Sequence, residues 1–169
     1  MQVKMPFYNL LNMLLTGVVF LVGIIPLYPS ELTEFVLLEQ NMKCDAAQEV
    51  VIVMLFIAAT YEIGLILNRI GSVFAEPIFK TLKIIYFSSP YSDYARASNA
   101  FPKLEVLSRE YALSRTSTIE FFLLSMWSAS ISKFFLFSIY LAIAILFLFS
   151  CRKHSKKILI ILADFNTHL

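Results

Sequence analysis

The chain has 169 residues, 59% hydrophobic and 15% charged, with a net charge of +2 and a mean hydropathy of +0.74. That apolar content lies well above the roughly 45–50% of soluble domains and places the chain among membrane proteins. Sixteen Phe and eight Tyr against four Gly, with no recurring strand-length alternation of polarity, exclude a porin-like barrel and predict an all-α polytopic membrane protein.

Lys4 followed by the apolar stretch Phe7–Tyr28 has the outline of a signal peptide. The stretch is longer than a usual h-region, however, and no small-x-small cleavage site follows it. Pro26 and Pro29 beside Tyr28 predict instead the outer end of a retained spanning helix. A second apolar segment, Val50–Leu67, completes a first transmembrane pair within residues 1–67. Between the two, residues 29–49 carry Glu31, Glu34, Glu39, Asp45 and Glu49 against Lys43 alone.

Residues 68–117 have the opposite balance: Arg69, Lys80, Lys83, Arg96, Lys103, Arg109 and Arg115 against Glu76, Asp93, Glu105 and Glu110. The positive-inside rule puts this segment in the cytoplasm and 29–49 outside. The segment reads as three short helices. Pro77 opens Pro77–Phe87, with Phe79, Leu82 and Ile85 on an apolar face, before the break at Ser88-Ser89-Pro90. Ser92 caps a brief helix through Ala97. From Pro102 onward, Leu104, Leu107, Tyr111 and Ser114 recur at helical spacing and run into the next apolar run. The segment is too small for an independent core and must pack on the membrane ends or on a partner.

The run Ile119–Ser150 is interrupted only by Glu120 and Lys133 and would be about 48 Å long as one helix, against a hydrocarbon core of about 30 Å. It is therefore predicted to be a hairpin, 118–151, turning near Ser130–Lys133. The basic cluster Arg152-Lys153-His154-Ser155-Lys156-Lys157 opens a cytoplasmic tail, 152–169, so four spans leave both termini inside. A three-span arrangement would instead export Arg152, Lys153, Lys156 and Lys157. Ile158–Ala163 is too short to cross and is expected to dock on the cytoplasmic helices or lie at the interface.

Two constellations stand out. Tyr61, Gly64, Asn68 and Gly71 fall near one helix face, where glycines permit close approach and Asn68 can bond across the contact. That face packs within the chain or against another subunit. Glu62 lies inside the apolar segment and needs a partner or water. A cluster of Glu62, Arg69, Arg115 and Glu120 would satisfy all four charges, by ion pairing or by lining a cation path. No phosphate loop, nucleophile elbow or zinc motif is present, and His154 and His168 lack metal-ligand spacing. Cys44 and Cys151 fall on opposite sides of the membrane and cannot pair. No enzyme, cofactor or metal is expected.

The string Tyr61–Pro77 together with Leu107–Thr116 resembles small bacterial inner-membrane proteins encoded near defence genes. The size and four-span plan are similar to those of the KwaA family, the membrane subunits of the Kiwa anti-phage system. The resemblance rests on architecture, and no functional residue carries over. It implies an oligomeric inner-membrane sensor working with a cytoplasmic, nucleic-acid-binding partner. The expected function is a non-enzymatic scaffold or sensor that self-associates in membrane lipid and recruits a cytoplasmic protein through 68–117 and the tail, without binding nucleic acid itself. An oligomeric ion channel is the alternative.

Overall fold

The computed structural model describes residues 7–30, 45–85 and 91–167. Lys4, the acidic 31–44 stretch with Cys44, the Ser88-Ser89-Pro90 break and His168 lie outside the described residues. Those described are helical, joined by turns, with no strand among them.

Helix α1 spans Phe7–Ile24 and tightens into a 3₁₀ turn, Ile25–Leu27, where Pro26 fits the first positions. Helix α2 spans Ala46–Ile70 and starts four residues before its apolar run because Asp45 and Gln48 form a reciprocal capping box. It does not stop at Ile70. A widened π-type turn, Gly71–Ala75, carries it into α3, Glu76–Thr81. The widening shifts the hydrogen-bond ladder by one residue just before Pro77, which has no N–H to donate. The helix expected over Pro77–Phe87 therefore begins earlier, as a continuation of α2, and ends at Thr81. Lys83 ends it by taking a left-handed conformation, φ 54°, while the Ile84 N–H closes back on the Phe79 carbonyl at 2.9 Å. Of its apolar face, Phe79 and Ile85 are buried and Leu82 is exposed.

Helix α4 covers Tyr91–Ala100. Helix α5, Pro102–Ser130, runs through position 118 without a break. The chain then turns over 131–133, with Ser132 at φ 59°, and α6 runs from Phe134 to Thr167. The basic cluster and the Ile158–Ala163 run are thus part of the same helix as the apolar residues before them.

Two antiparallel pairs, α1–α2 and α5–α6, pack side by side with α5 against both helices of the first pair. At one end Leu27, Leu124 and Tyr140 form a small core. There Trp127 donates to the Tyr28 hydroxyl at 2.8 Å, Tyr140 donates to the Gly23 carbonyl at 2.6 Å, and Lys133 donates to the Pro26 and Leu27 carbonyls. At the other end Ala75, Phe79 and Ile85 meet Leu104, Leu107 and Tyr111 of α5 and Cys151, Ile158 and Leu162 of α6. The connecting segment thus has no separate core: it packs on the end of the α5–α6 hairpin, with the tail helix supplying two of the apolar anchors.

Three helical stretches, 7–27, 46–81 and 134–165, are long and apolar enough to cross a membrane. Their outer surfaces fit that solvent, with Val50–Ile57, Phe134, Phe135, Leu146 and Phe149 all exposed. α5 is different. Its first half is charged, and its apolar half buries Glu120, Ser125 and Ser128.

Candidate functional site

The polar groups converge where α1 begins, α2 ends and the charged half of α5 passes between them. Arg115 is the hub. It is buried, and its guanidinium bonds Glu76 at 2.7 Å and the Asn68 carbonyl oxygen at 3.3 Å. It also lies 5.7 Å from the centre of the Tyr111 ring, a cation–π geometry. Thr116 donates to the same Asn68 oxygen at 3.2 Å, and Glu76 also holds Lys80 at 3.0 Å. Burial pushes the Tyr111 phenol well above its usual value, reinforced by Cys151 and Glu76 and opposed by Arg115. One cation therefore ties α2, α3 and α5 together, and Ser114 adds a 3.0 Å bond to Ser150 of α6.

The four charges expected to cluster do not come together. Arg115 takes Glu76, because the π-type turn brings that carboxylate back over α5. Glu62 and Arg69 are exposed on the outer side of α2 and form no ion pair with any described residue. Glu120 is 1% exposed, and its Oε1 has no hydrogen-bond partner among the described residues.

The expected packing face lies inside the chain, but its members differ in use. Tyr61 is half-buried, and Gly64 and Asn68 face α1 and α5. A Cβ on Gly64 would sit 1.8 Å from the Met13 carbonyl oxygen. Reciprocally, a Cβ on Gly17 would sit 1.7 Å from the Thr60 carbonyl oxygen. The two contacts are one turn apart and clamp α1 to α2, with glycine hydrogens aimed at carbonyl oxygens. Gly71 is buried, yet a Cβ there meets Arg115 and Thr116 at 3.5 Å or more, ordinary van der Waals contact. Close approach therefore belongs to Gly17 and Gly64. Gly17 escapes a reading of α2 alone, although a glycine inside the apolar helix α1 is the small-residue signal that would have found it.

Beside Asn68 opens a cavity of about 230 Å³ between α1, α2 and α5, bordered by Asn9, Asn12, Thr16, Ser108 and Arg109. Asn9, Asn12 and Thr16 repeat at helical spacing along one edge of α1, a polar stripe in an otherwise apolar sequence. Arg109 is held by Glu105 on its own helix and lies 5.7 Å from the Tyr8 ring centre. At the far side of α5, His154 of α6 lies 3.1 Å from Glu110. No three His, Cys, Asp or Glu converge as a metal-binding group among the described residues. Comparison with known protein families, curated proteins and solved structures finds no match to this chain.

Proposed function

We propose that the chain is a four-span, non-enzymatic scaffold or sensor of a bacterial inner membrane, with both termini in the cytoplasm. It self-associates in the bilayer and recruits a cytoplasmic protein through 68–117 and the tail. The reading follows the KwaA-like architecture inferred from the sequence, with anti-phage defence as its setting. In it α5 is the fourth span, entering lipid near Ile119 with its buried serines and Glu120 turned to the bundle.

The observation that carries the reading is the outward face of α2. Thr60, Gly64, Leu67 and Gly71 are buried against the chain, which leaves Glu62, Ile66, Arg69 and Val73 exposed on the opposite face. A carboxylate two turns inside an apolar helix costs about 2.5–3.5 kcal/mol on insertion scales unless something covers it. A second copy presenting the same acid and base is self-complementary in charge.

The test is the mass of the purified chain in mild detergent. Glu62→Gln and Arg69→Gln are expected to shift it toward monomer, and the paired exchange Glu62→Arg with Arg69→Glu is expected to restore it. Unchanged mass in every variant refutes self-association through this face. With Cys44 and Cys151 replaced by Ser, Lys157→Cys in intact cells is expected to resist a membrane-impermeant thiol reagent, and labelling from outside refutes the four-span topology.

The exposed Glu62 also favours a second reading, in which carboxylates from several copies line a cation path. Glu62→Gln would then change ion flux in liposomes while the assembly kept its mass.

A further inference from the structure

We propose that the cavity between α1, α2 and α5 is a binding site for a phosphate group, with the headgroup of an anionic phospholipid as its natural source. The inference is independent of self-association; the phosphate site rests on the three-helix junction described above, and its lipid source rests on the proposed membrane topology.

The argument begins with what the cavity is made of. Its wall carries a guanidinium, Arg109, three carboxamides, Asn9, Asn12 and Asn68, and the hydroxyl of Ser108. The side chains of Asn9, Asn12 and Ser108 have no hydrogen-bond partner among the described residues. Asn68 has committed its carbonyl oxygen to Arg115 and Thr116, which leaves its NH₂ as the free end. Arg109 and the Asn68 NH₂ offer donors only, while Asn9, Asn12 and Ser108 can each turn a donor toward the space between them. Asn12 and Asn68 are half-buried, and a ligand rich in acceptor oxygens would satisfy the N–H groups they leave without a protein partner.

Charge narrows the ligand to an anion. Among the described residues Arg109 is the one cation in the cavity wall, and its neighbour Glu105 is mostly exposed while Arg109 is not. The guanidinium has five donors, and Glu105 with the Tyr8 ring fixes its position without consuming them all. Planar, pre-positioned guanidinium donors match phosphate oxygens. The other nearby guanidinium, Arg115, is buried in its bonds to Glu76 and Asn68 and takes no part.

Position narrows the source. The apolar stretch of α1 begins at Phe7, that of α2 ends at Leu67, and that of α5 begins at Ile119. The cavity sits between Asn9 and Thr16, Gly64 and Asn68, and Ser108 and Thr116, which on the proposed topology is the depth where headgroups meet acyl chains. A phosphodiester can enter there with its tails still in the bilayer. The basic residues Arg152, Lys153, Lys156 and Lys157 on α6 are exposed and form a separate, unstructured attraction for anionic lipid.

The test uses the full-length chain in detergent, titrated with phosphatidylglycerol, diacylglycerol or inorganic phosphate and followed by native mass spectrometry and thermal stability. Phosphatidylglycerol is expected to bind one per chain and diacylglycerol not to bind. Loss of charge-assisted hydrogen bonds in Arg109→Gln should weaken binding roughly tenfold or more. Ser108→Ala should weaken it less, and Glu105→Gln should strengthen it by releasing the guanidinium. Replacing Arg152 and Lys153 by Gln should leave this one-per-chain binding in place. Inorganic phosphate binding with the same dependence on Arg109 supports the phosphate site and assigns it a soluble source instead. Binding indifferent to Arg109, Ser108 and Glu105, or no binding of either probe, overturns the proposal.

Discussion

Replacing Gly64 by alanine adds a single methyl group to a helix and, at an ordinary helical position, would stabilise the chain by about 1 kcal/mol through backbone entropy. Here the new carbon lands 1.8 Å from the Met13 carbonyl oxygen, a separation that must open past 3.0 Å. The obstacle is backbone, so no rotamer change relieves it and α1 has to move away from α2. Overpacking of this kind costs about 1–3 kcal/mol, enough to outweigh the propensity gain. Parting the helices also loses the reciprocal contact at Gly17, where the Thr60 carbonyl sits opposite the glycine. Gly64→Ala is therefore expected to be net destabilising and Gly17→Ala similarly so. The double variant should cost less than the two added together, because one outward shift of α1 relieves both clashes. Gly71→Ala is the control: its Cβ meets nothing closer than 3.5 Å, so it should be neutral or stabilising. Thermal unfolding in detergent, followed by the fluorescence of the single tryptophan, Trp127, reads all four. A Gly64→Ala variant as stable as the parent, or a Gly71→Ala variant equally damaged, refutes the clamp.

Two further outcomes follow from the two ends of the bundle. Glu76→Gln alone should cost about 3–5 kcal/mol, because it leaves the buried Arg115 without a counter-charge, whereas Arg115→Gln should cost less, because Glu76 is partly exposed and keeps Lys80. Exchanging both together should cost less than the sum, and strict additivity in denaturant unfolding would mean that the pair is not coupled. Lys133→Met should lower stability by about 1.5–3 kcal/mol, the loss of charge-assisted bonds to the Pro26 and Leu27 carbonyls. An unchanged melting temperature for Lys133→Met would mean that the hairpin tip does not hold the end of α1.

Local signals read well in this chain and long-range ones did not. The hairpin was legible because Ile119–Ser150 is too long for one crossing and Ser130–Lys133 is its most polar interior point. The helix from Pro102 into the apolar run was legible from the spacing of Leu104, Leu107 and Tyr111. The partner of Arg115 was not. Glu76 is 39 residues away in sequence, and only the π-type turn at Gly71–Ala75, which no residue pattern announces, brings it back over α5. Gly64 and Gly71 look equivalent on a helical wheel, yet one meets a carbonyl of α1 and the other a side chain of α5 with room to spare. Asn9 and Asn12 were visible as polar residues in an apolar helix, but their meaning depends on Ser108 and Arg109 arriving from a distant segment.

The unbroken course of α6 has a mechanical consequence. Its 34 residues make a rod about 51 Å long, some 20 Å more than a bilayer's hydrocarbon core, and no loop, glycine or proline interrupts it at the membrane surface. The antiparallel α5 stiffens it along most of that length. Such a rod has no joint where joints are usually found, so it tilts as one body. A tilt of about 10° swings one end by roughly 9 Å relative to the other. Whatever pushes on the end of the rod that carries Ile158 and Leu162 is therefore felt at the Phe134 end. The same lever works in reverse, converting a disturbance at the Phe134 end into displacement of the apolar anchors that pack with Leu104 and Leu107.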